Sequence, residues 1–422
     1  MITVLSFTRK RKSGQIDKLR VAGREGFVRS ARFLNRWIPA PRLRGGRLCA
    51  AMTVRRILRL VLLFGWAAAL GGCGEKELPT YQEQGYVFGT LVEVSVYGED
   101  EAPAKQGVAA VMREFQRLHD LLHAWKPSPL SALNAAFARG ETVPVSAELS
   151  AMLRDAAQLS AQSGGLFNPA IGGLIQLWGF QADEFKAALP DAEEIAALVK
   201  KNPQMGDIAL SRNPSDPPDQ GGADHSSPDK VRLGGVAFSD NKAVRLDLGG
   251  YAKGYALDRA AAILRQRGIN NALINIGGNI LALGRHGGRD WRVGIQHPRK
   301  PGALATLALR DGEAIGTSGD YQRYFELGGK RYCHLIDPRN GYPVQGVQAV
   351  TILTSGAHAG VLSDAASKPL FISGASGWRA AAAAMRLDAA LLVDAQGVVH
   401  LTTAMQKRLE FNDSKTTRRV EP

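Results

Sequence analysis

The stretch Arg245–Ala260, "RLDLGGYAKGYALDRA", decides how the rest of the chain is read. Leu246 and Leu248 alternate with Arg245 and Asp247, as on a strand. Gly249 and Gly250 follow, then Lys253, then Leu257, Ala261 and Leu264 at helical spacing. A strand, a glycine turn and a helix start bearing a lysine together suit a phosphate. The spacing is neither G-x-G-x-x-G nor G-x-x-x-x-G-K-[ST], so the residues point to a phosphate-bearing ligand of another kind.

Upstream, "TLVEVSVYG" (90–98) sets Val92, Val94 and Val96 against Glu93 and Ser95 and predicts a half-buried strand. Residues 105–123 place Val108, Met112, Phe115, Leu118 and Leu122 on one helical face. A second helix is expected from an N-cap at Ser146 to Gly164, and a third over about 191–202. From 204 to 248 the pattern turns to strands, interrupted by "PSDPPDQGGADHSSPD" (214–229). That stretch has no large apolar side chain and reads as a disordered surface insertion over about 212–230. Downstream, "NALINIGGNILALG" (271–284), "WRVGIQ" (291–296), "ATLAL" (305–309) and "AVTILT" (349–354) are strand-like. Helices near 357–373 and 376–386 and a hairpin at 389–403 close the pattern, and residues 405–422 read as a flexible tail. No β-α-β alternation is visible, so the expectation is an α+β domain with a largely antiparallel sheet flanked by helices.

The formal charge of +14 suggests nucleic acid until it is located. Residues 1–72 hold 16 Lys/Arg against Asp17 and Glu25, which leaves 53 − 16 = 37 basic and 39 − 2 = 37 acidic residues elsewhere. The body is neutral, and nucleic-acid binding loses its support. From Met52, "MTVRRILRLVLLFGWAAALGGCG" has a basic start, an apolar run and then Leu70-Gly71-Gly72-Cys73. This has the form of a secretory signal (52–72) and resembles a bacterial lipobox with Cys73 as the lipidated first mature residue. A short membrane anchor is the other reading, although the run falls short of the ~20 residues a span needs. Residues 1–51 resemble no signal element and read as an extension ahead of the true start, leaving a mature domain over 73–404. Cys333 is then the lone mature thiol, with no disulfide framework.

Several polar stretches beside glycine or proline break their local pattern. They are "VFGT" (87–90), "LLHAWKPSPLSALN" (121–134), "SGGLFNPAIGGL" (163–174), the opening stretch, "NIGGNI" (275–280), "GTSGDYQRYF" (316–325), "CHLIDPRNGYP" (333–343) and "SDAASKPLFISG" (363–374). Their order and spacing resemble the ApbE family of FAD:protein FMN transferases over roughly residues 80–400. The resemblance implies a T-fold-like domain that binds FAD, with Mg²⁺ helping to cleave its diphosphate. FMN would pass to a threonine of an exported redox subunit of a membrane complex, and AMP would leave. It implies flavin contacts at Phe88, Trp125, Leu166, Phe167 and Asn168, the last usually aspartate in the family. It also implies diphosphate contacts at Asp247 and Lys253, and a metal contact through the Gly250 carbonyl. The lipobox adds a lipid anchor on the periplasmic face of a bacterial membrane, the inner one by preference.

His334 is the candidate base for an incoming hydroxyl, against a structural histidine bonded to backbone. His119 and His123 stand at i and i+4 but lack the glutamate of H-E-x-x-H; a metal pair competes with pocket lining by His123. One departure matters. The family's Asp-Ala-x-Ala-Thr metal motif reads Asp364-Ala365-Ala366-Ser367-Lys368 here. Lysine offers no oxygen, so three readings stand: Ser367 or water completes the metal shell, the Lys368 ammonium sits in the metal's place, or Asp364 and Lys368 form a surface helix pair worth ~0.2–0.5 kcal/mol. Two functions remain open beside transfer: a non-catalytic FAD-binding lipoprotein or assembly factor, and an FAD pyrophosphatase.

Overall fold

The structure, a computed structural model, describes residues 78–182, 184–211 and 233–421. The signal segment, Cys73 and the 212–230 insertion lie outside the described residues.

Nine strands form the central sheet: β1 (Thr80–Val87), β2 (Thr90–Tyr97), β6 (Ala272–Ile276), β7 (Asn279–Leu283), β10 (Glu313–Gly319), β13 (Val347–Ser355), β14 (Ala389–Asp394), β15 (Val399–Thr402) and β17 (Arg418–Glu421), in that spatial order. Every pairing is antiparallel except β15 with β17. Three small sheets accompany it: β3 (Val143–Ser146) and β4 (Ile208–Ser211) on either side of β5 (Leu233–Ser239), β9 (Ala303–Leu309) between β8 (Trp291–Gln296) and β16 (Glu410–Phe411), and β11 (Tyr324–Leu327) with β12 (Lys330–Cys333). The helices are α1 (Glu101–Leu121), α2 (Pro129–Arg139), α3 (Ala147–Gln162), α4 (Gly172–Leu177), α5 (Ala192–Lys201), α6 (Ala252–Gln266), α7 (Ala359–Ala365), α8 (Ser367–Ala384) and α9 (Thr403–Gln406).

Alternation along the strands sends side chains into two cores. Ile274, Leu281, Val350 and Leu392 join Phe115, Leu118, Leu257 and Trp378 from the helices. Their neighbours Leu273, Ile280, Ala349 and Leu391 face the other way and pack on Trp291, Val293 and Leu307 of β8 and β9. A sheet covered on both faces reads as continuous apolar sequence, which is why β6, β7 and β14 are buried throughout.

Three expectations need correction. β2 is buried on both sides: Glu93 and Ser95 are as inaccessible as the valines, and Glu93 accepts a hydrogen bond from the Gln84 side chain. Residues 245–248 are extended but belong to no strand; only Arg245 bridges to Ile171. The stretch after 405 is not frayed, since Glu410–Phe411 pairs with β9 and Arg418–Glu421 with β15. Such pairing depends on distant partners that a polar tail sequence does not announce. Ser146 caps α3 as expected, its side chain accepting from Leu149 N–H at 3.2 Å.

Candidate active site

The glycine turn at 249–250 is held from both flanks. Arg245 and Asp247 N–H donate to the carbonyls of Ala170 (3.1 Å) and Pro169 (2.8 Å). On the other edge the buried Asn134 side chain replaces a strand: Leu246 N–H donates to its Oδ1 (2.7 Å), and its Nδ2 donates to the Leu246 carbonyl (2.9 Å). The backbone of 245–248 is thereby satisfied without a ladder. Asp247 then folds the turn, since its Oδ1 accepts from Gly249 N–H at 2.9 Å while Oδ2 accepts from Gln181 Nε2 at 2.9 Å.

Helix α6 leaves this turn and presses Gly254 against Gly360 of α7. A Cβ on Gly254 would stand 2.3 Å from the Gly360 carbonyl oxygen, so only glycine permits the approach. One turn later on the same face, Asp258 accepts from Gly360 N–H (2.8 Å) and Val361 N–H (2.9 Å), capping α7. The two contacts fix α7, and α7 carries Asp364.

Asp364 is buried and crowded with donors. Its Oδ2 accepts from Gly254 N–H at 3.1 Å. Its Oδ1 takes the Lys253 ammonium at 3.3 Å and also the Lys368 ammonium. The Lys368 ammonium donates again to the Asp364 carbonyl at 2.6 Å, beside the Ser367 hydroxyl at 2.7 Å. Lys253 also reaches the Gly249 carbonyl at 3.0 Å. Burial would raise the Asp364 pKa, but the two lysines and Gly254 N–H hold the carboxyl far below the usual carboxylate range. Burial, with Lys253 nearby, pulls Lys368 down to about 8. The reading of Asp364 and Lys368 as a surface pair is therefore overturned: the side chains are 1% and 14% exposed.

His334 lies within the field of this cluster. Its Nδ1 is 3.2 Å from the Arg323 carbonyl, which only accepts, so Nδ1 carries the proton and Nε2 keeps a lone pair. Burial, followed by the charges of Arg323, Lys253 and Lys368, pushes its pKa down to about 3. The imidazole is neutral at ordinary pH, as a proton acceptor must be.

A second group is aromatic. Phe88, at a positive φ of 56°, meets Phe115 (ring centroids 6.2 Å) and His119 (5.8 Å) edge-on. His119 meets His123 at 5.0 Å, and His123 meets the half-buried Trp125 at 4.5 Å. The histidine pair thus links the two predicted flavin contacts. His123 Nδ1 accepts from Lys126 N–H at 3.1 Å, which bends the chain out of α1 toward Trp125. Among the described residues no three His, Cys, Asp or Glu side chains cluster to hold a metal.

Of the residues singled out in the sequence, Gly250, Lys253, Asp364, Ser367 and Lys368 come together. A Cβ on Gly250 would lie 3.1 Å from Lys368 Cε and 3.7 Å from the Phe167 ring. Leu166 is half-buried in the same turn. Asn168 departs from expectation: its Nδ2 donates to the Pro203 carbonyl (2.9 Å) and its Oδ1 accepts from Ala170 N–H (3.0 Å), so both polar atoms brace the loop. Ser367 is also spent, bonding Ser318 Oγ at 2.7 Å and the Asp364 carbonyl, and it points to no ligand. The donor set does not fit Mg²⁺: Lys368 supplies no oxygen, the Ser367 hydroxyl is bonded elsewhere, and two ammonium groups already crowd Asp364 Oδ1. Asn134, Gln181 and Asp258 escaped the sequence reading. Asn134 closes the quoted stretch 121–134 and Asp258 stands one helical turn after Gly254 in the opening one, whereas Gln181 lies in no quoted stretch.

Comparison with known proteins follows the same lines. The profile described as the ApbE family matches residues 88–392. An FAD:protein FMN transferase of Rhodobacter capsulatus is 40% identical over 332 residues, 79% of this chain and 59% of its own length. One from Klebsiella pneumoniae (strain 342) is 31% identical, over 67% of this chain and 77% of its own. The crystal structure of the ApbE protein from Thermotoga maritima superposes with a TM-score of 0.67 at 27% identity, covering 78% of this chain and 99% of that one. The apo flavinyl transferase ApbE of Pseudomonas stutzeri gives 0.65 at 26% identity, covering 79% and 98%.

Proposed function

This chain belongs to the ApbE family, and from that premise we propose that it transfers FMN from FAD to a threonine hydroxyl of an exported redox protein. The observation that carries the reading is the surplus of positive charge around Asp364, where two ammonium groups meet one buried carboxylate. Such a surplus suits a diphosphate.

The threonine oxygen attacks the phosphorus on the flavin side of the diphosphate. The bond from that phosphorus to the bridging oxygen breaks, and AMP leaves with the oxygen. The hydroxyl proton goes to Nε2 of His334, which is neutral but, with its pKa pushed down to about 3, only a weak base, so it adds little to the rate. Lys253 and Lys368 neutralise charge on the phosphates, and positioning supplies most of the acceleration. Phe88 and Trp125 offer ring faces to the isoalloxazine. No step is assigned to Mg²⁺, because Lys368 offers no oxygen, the Ser367 hydroxyl is engaged, and two ammonium groups crowd Asp364 Oδ1.

The signal-like segment 52–72 and Cys73 support export and lipid anchoring at the periplasmic face of the inner membrane, where such an acceptor would be met. Incubating the purified chain with FAD and an acceptor peptide bearing threonine should yield a fluorescent, denaturation-resistant adduct and one AMP per adduct. AMP and free FMN without an adduct would assign a pyrophosphatase. FAD binding with neither product would assign a non-catalytic carrier.

A further inference from the structure

The oxygens of Asp364 are occupied by this chain's own donors. Oδ2 takes Gly254 N–H, Oδ1 takes two ammonium groups, and the backbone carbonyl takes Lys368 and the Ser367 hydroxyl. A divalent ion at Oδ1 would meet the repulsion of two ammonium groups already there. The cluster nonetheless carries one more positive than negative charge, and it is largely withdrawn from water, with Asp364, Lys368 and Lys253 side chains 1%, 14% and 23% exposed. An uncompensated charge in such a place is costly until an anion arrives.

The geometry directs that anion. Lys253 is tied to the Gly249 carbonyl at 3.0 Å, and Lys368 Cε lies 3.1 Å from where a side chain on Gly250 would begin. The absence of that side chain lets the Lys368 stem pack directly against the turn, bringing its ammonium beside the glycine backbone. Asp364 and Lys368, four residues apart across the junction of α7 and α8, form a unit whose ammonium is held by both the carboxylate and the backbone carbonyl of Asp364.

We infer that the Lys368 ammonium is a built-in counter-cation that stands where a divalent metal would act, so that this chain binds its dinucleotide without one. The inference rests on the reading that the ligand is FAD. It replaces a divalent charge, set by the metal concentration, with a fixed single charge supplied by the protein.

The test is FAD affinity, read by calorimetry, for wild type, Lys368→Met and Lys368→Thr, each in EDTA and in millimolar MgCl₂. Wild type should bind with Kd values agreeing to about twofold in the two buffers, and Lys368→Met, which keeps the stem and loses the charge, should bind about tenfold more weakly in both. Lys368→Thr should be weak in EDTA and recover about tenfold with Mg²⁺, because the lysine that excluded the ion is gone. Wild-type binding that tightens about tenfold on adding Mg²⁺ would overturn the inference while leaving the FAD reading intact. So would unchanged binding by Lys368→Met in EDTA. No FAD binding by the wild type in either buffer would bring down both.

Discussion

Two buried carboxylates in this molecule are networked in different ways. Asp394, at the end of β14, accepts from Gln396 and Val398 N–H, both at 2.9 Å, and pairs with His400 Nε2 at 2.8 Å. His400 Nδ1 reaches Glu421 at 3.2 Å, so the imidazole ties β14, β15 and β17 together. The Asp394 donors all come from within six residues of it. At Asp364 the donors Lys253 and Gly254 come from 111 and 110 residues away, and the cluster ends with a cation to spare. Burial and side-chain hydrogen bonding are common to both places. What separates them is that one network closes a turn and the other assembles charge across the fold, with Lys368 packed against a glycine turn. Only the second has the character of a site.

Breaking the long-range assembly should have the largest effect. Gly254→Ala would drive a methyl into the Gly360 carbonyl at 2.3 Å and within 2.7 Å of Val361 Cα, backbone atoms that cannot step aside. Overpacking of this kind costs about 1–3 kcal/mol. Urea denaturation should show that loss, and FAD affinity should collapse as α7 is displaced. Wild-type stability in this variant would mean that α6 and α7 do not need their close approach.

Next in size is Lys253→Met. It removes one of the two ammonium groups while Lys368 still satisfies Asp364, so folding should hold and FAD should bind about tenfold more weakly. The wild type should also lose affinity with added salt more steeply than the variant. Equal salt dependence would place Lys253 outside the diphosphate contacts. In the local network, His400→Gln should lower stability by about 1 kcal/mol through lost hydrogen bonds and leave FAD affinity unchanged. Altered FAD binding there would erase the distinction between the two clusters.

Much of this contrast was legible in the sequence, and the failures have physical causes. The glycine turn with Lys253 is read from the residues, Gly250, Asp364 and Lys368 are implied by the family resemblance, and the fold joins them. Helix faces and the strand alternation of "WRVGIQ" survived because each is a local periodicity. The strand expected at 245–248 failed because the Asn134 side chain supplies the partner that a strand would have supplied. Helix α2 went unread although Ser128 and Pro129 mark its start with a capping box and a proline in the first turn. Ser367 and Asn168 were right in place and wrong in role, since nothing in one sequence says where a hydroxyl or an amide points.

The smallest effect belongs to His334, and it carries a sign. In the unfolded chain its imidazole titrates near 6.5; in the fold, burial and the nearby cations keep it neutral down to about 3. Between those values the unfolded state binds one more proton than the folded state, so this group costs stability as pH falls below 6.5. From pH 7 to pH 6 the loss is about 0.7 kcal/mol. Above pH 7 it vanishes, because neither state is protonated. His334→Gln has nothing to titrate, so wild type should lose about 0.7 kcal/mol relative to the variant over that interval. Urea denaturation at the two pH values measures the difference. The transfer rate constant kcat/KM of the wild type should meanwhile show no acid limb near 6.5, since the base stays unprotonated there. A limb at 6.5 that disappears in His334→Gln, or a stability gap that does not move with pH, would mean that the half-buried His334 keeps its unfolded-state basicity in the folded protein. The cationic surroundings that set Asp364 apart from Asp394 would then not extend to the proposed base.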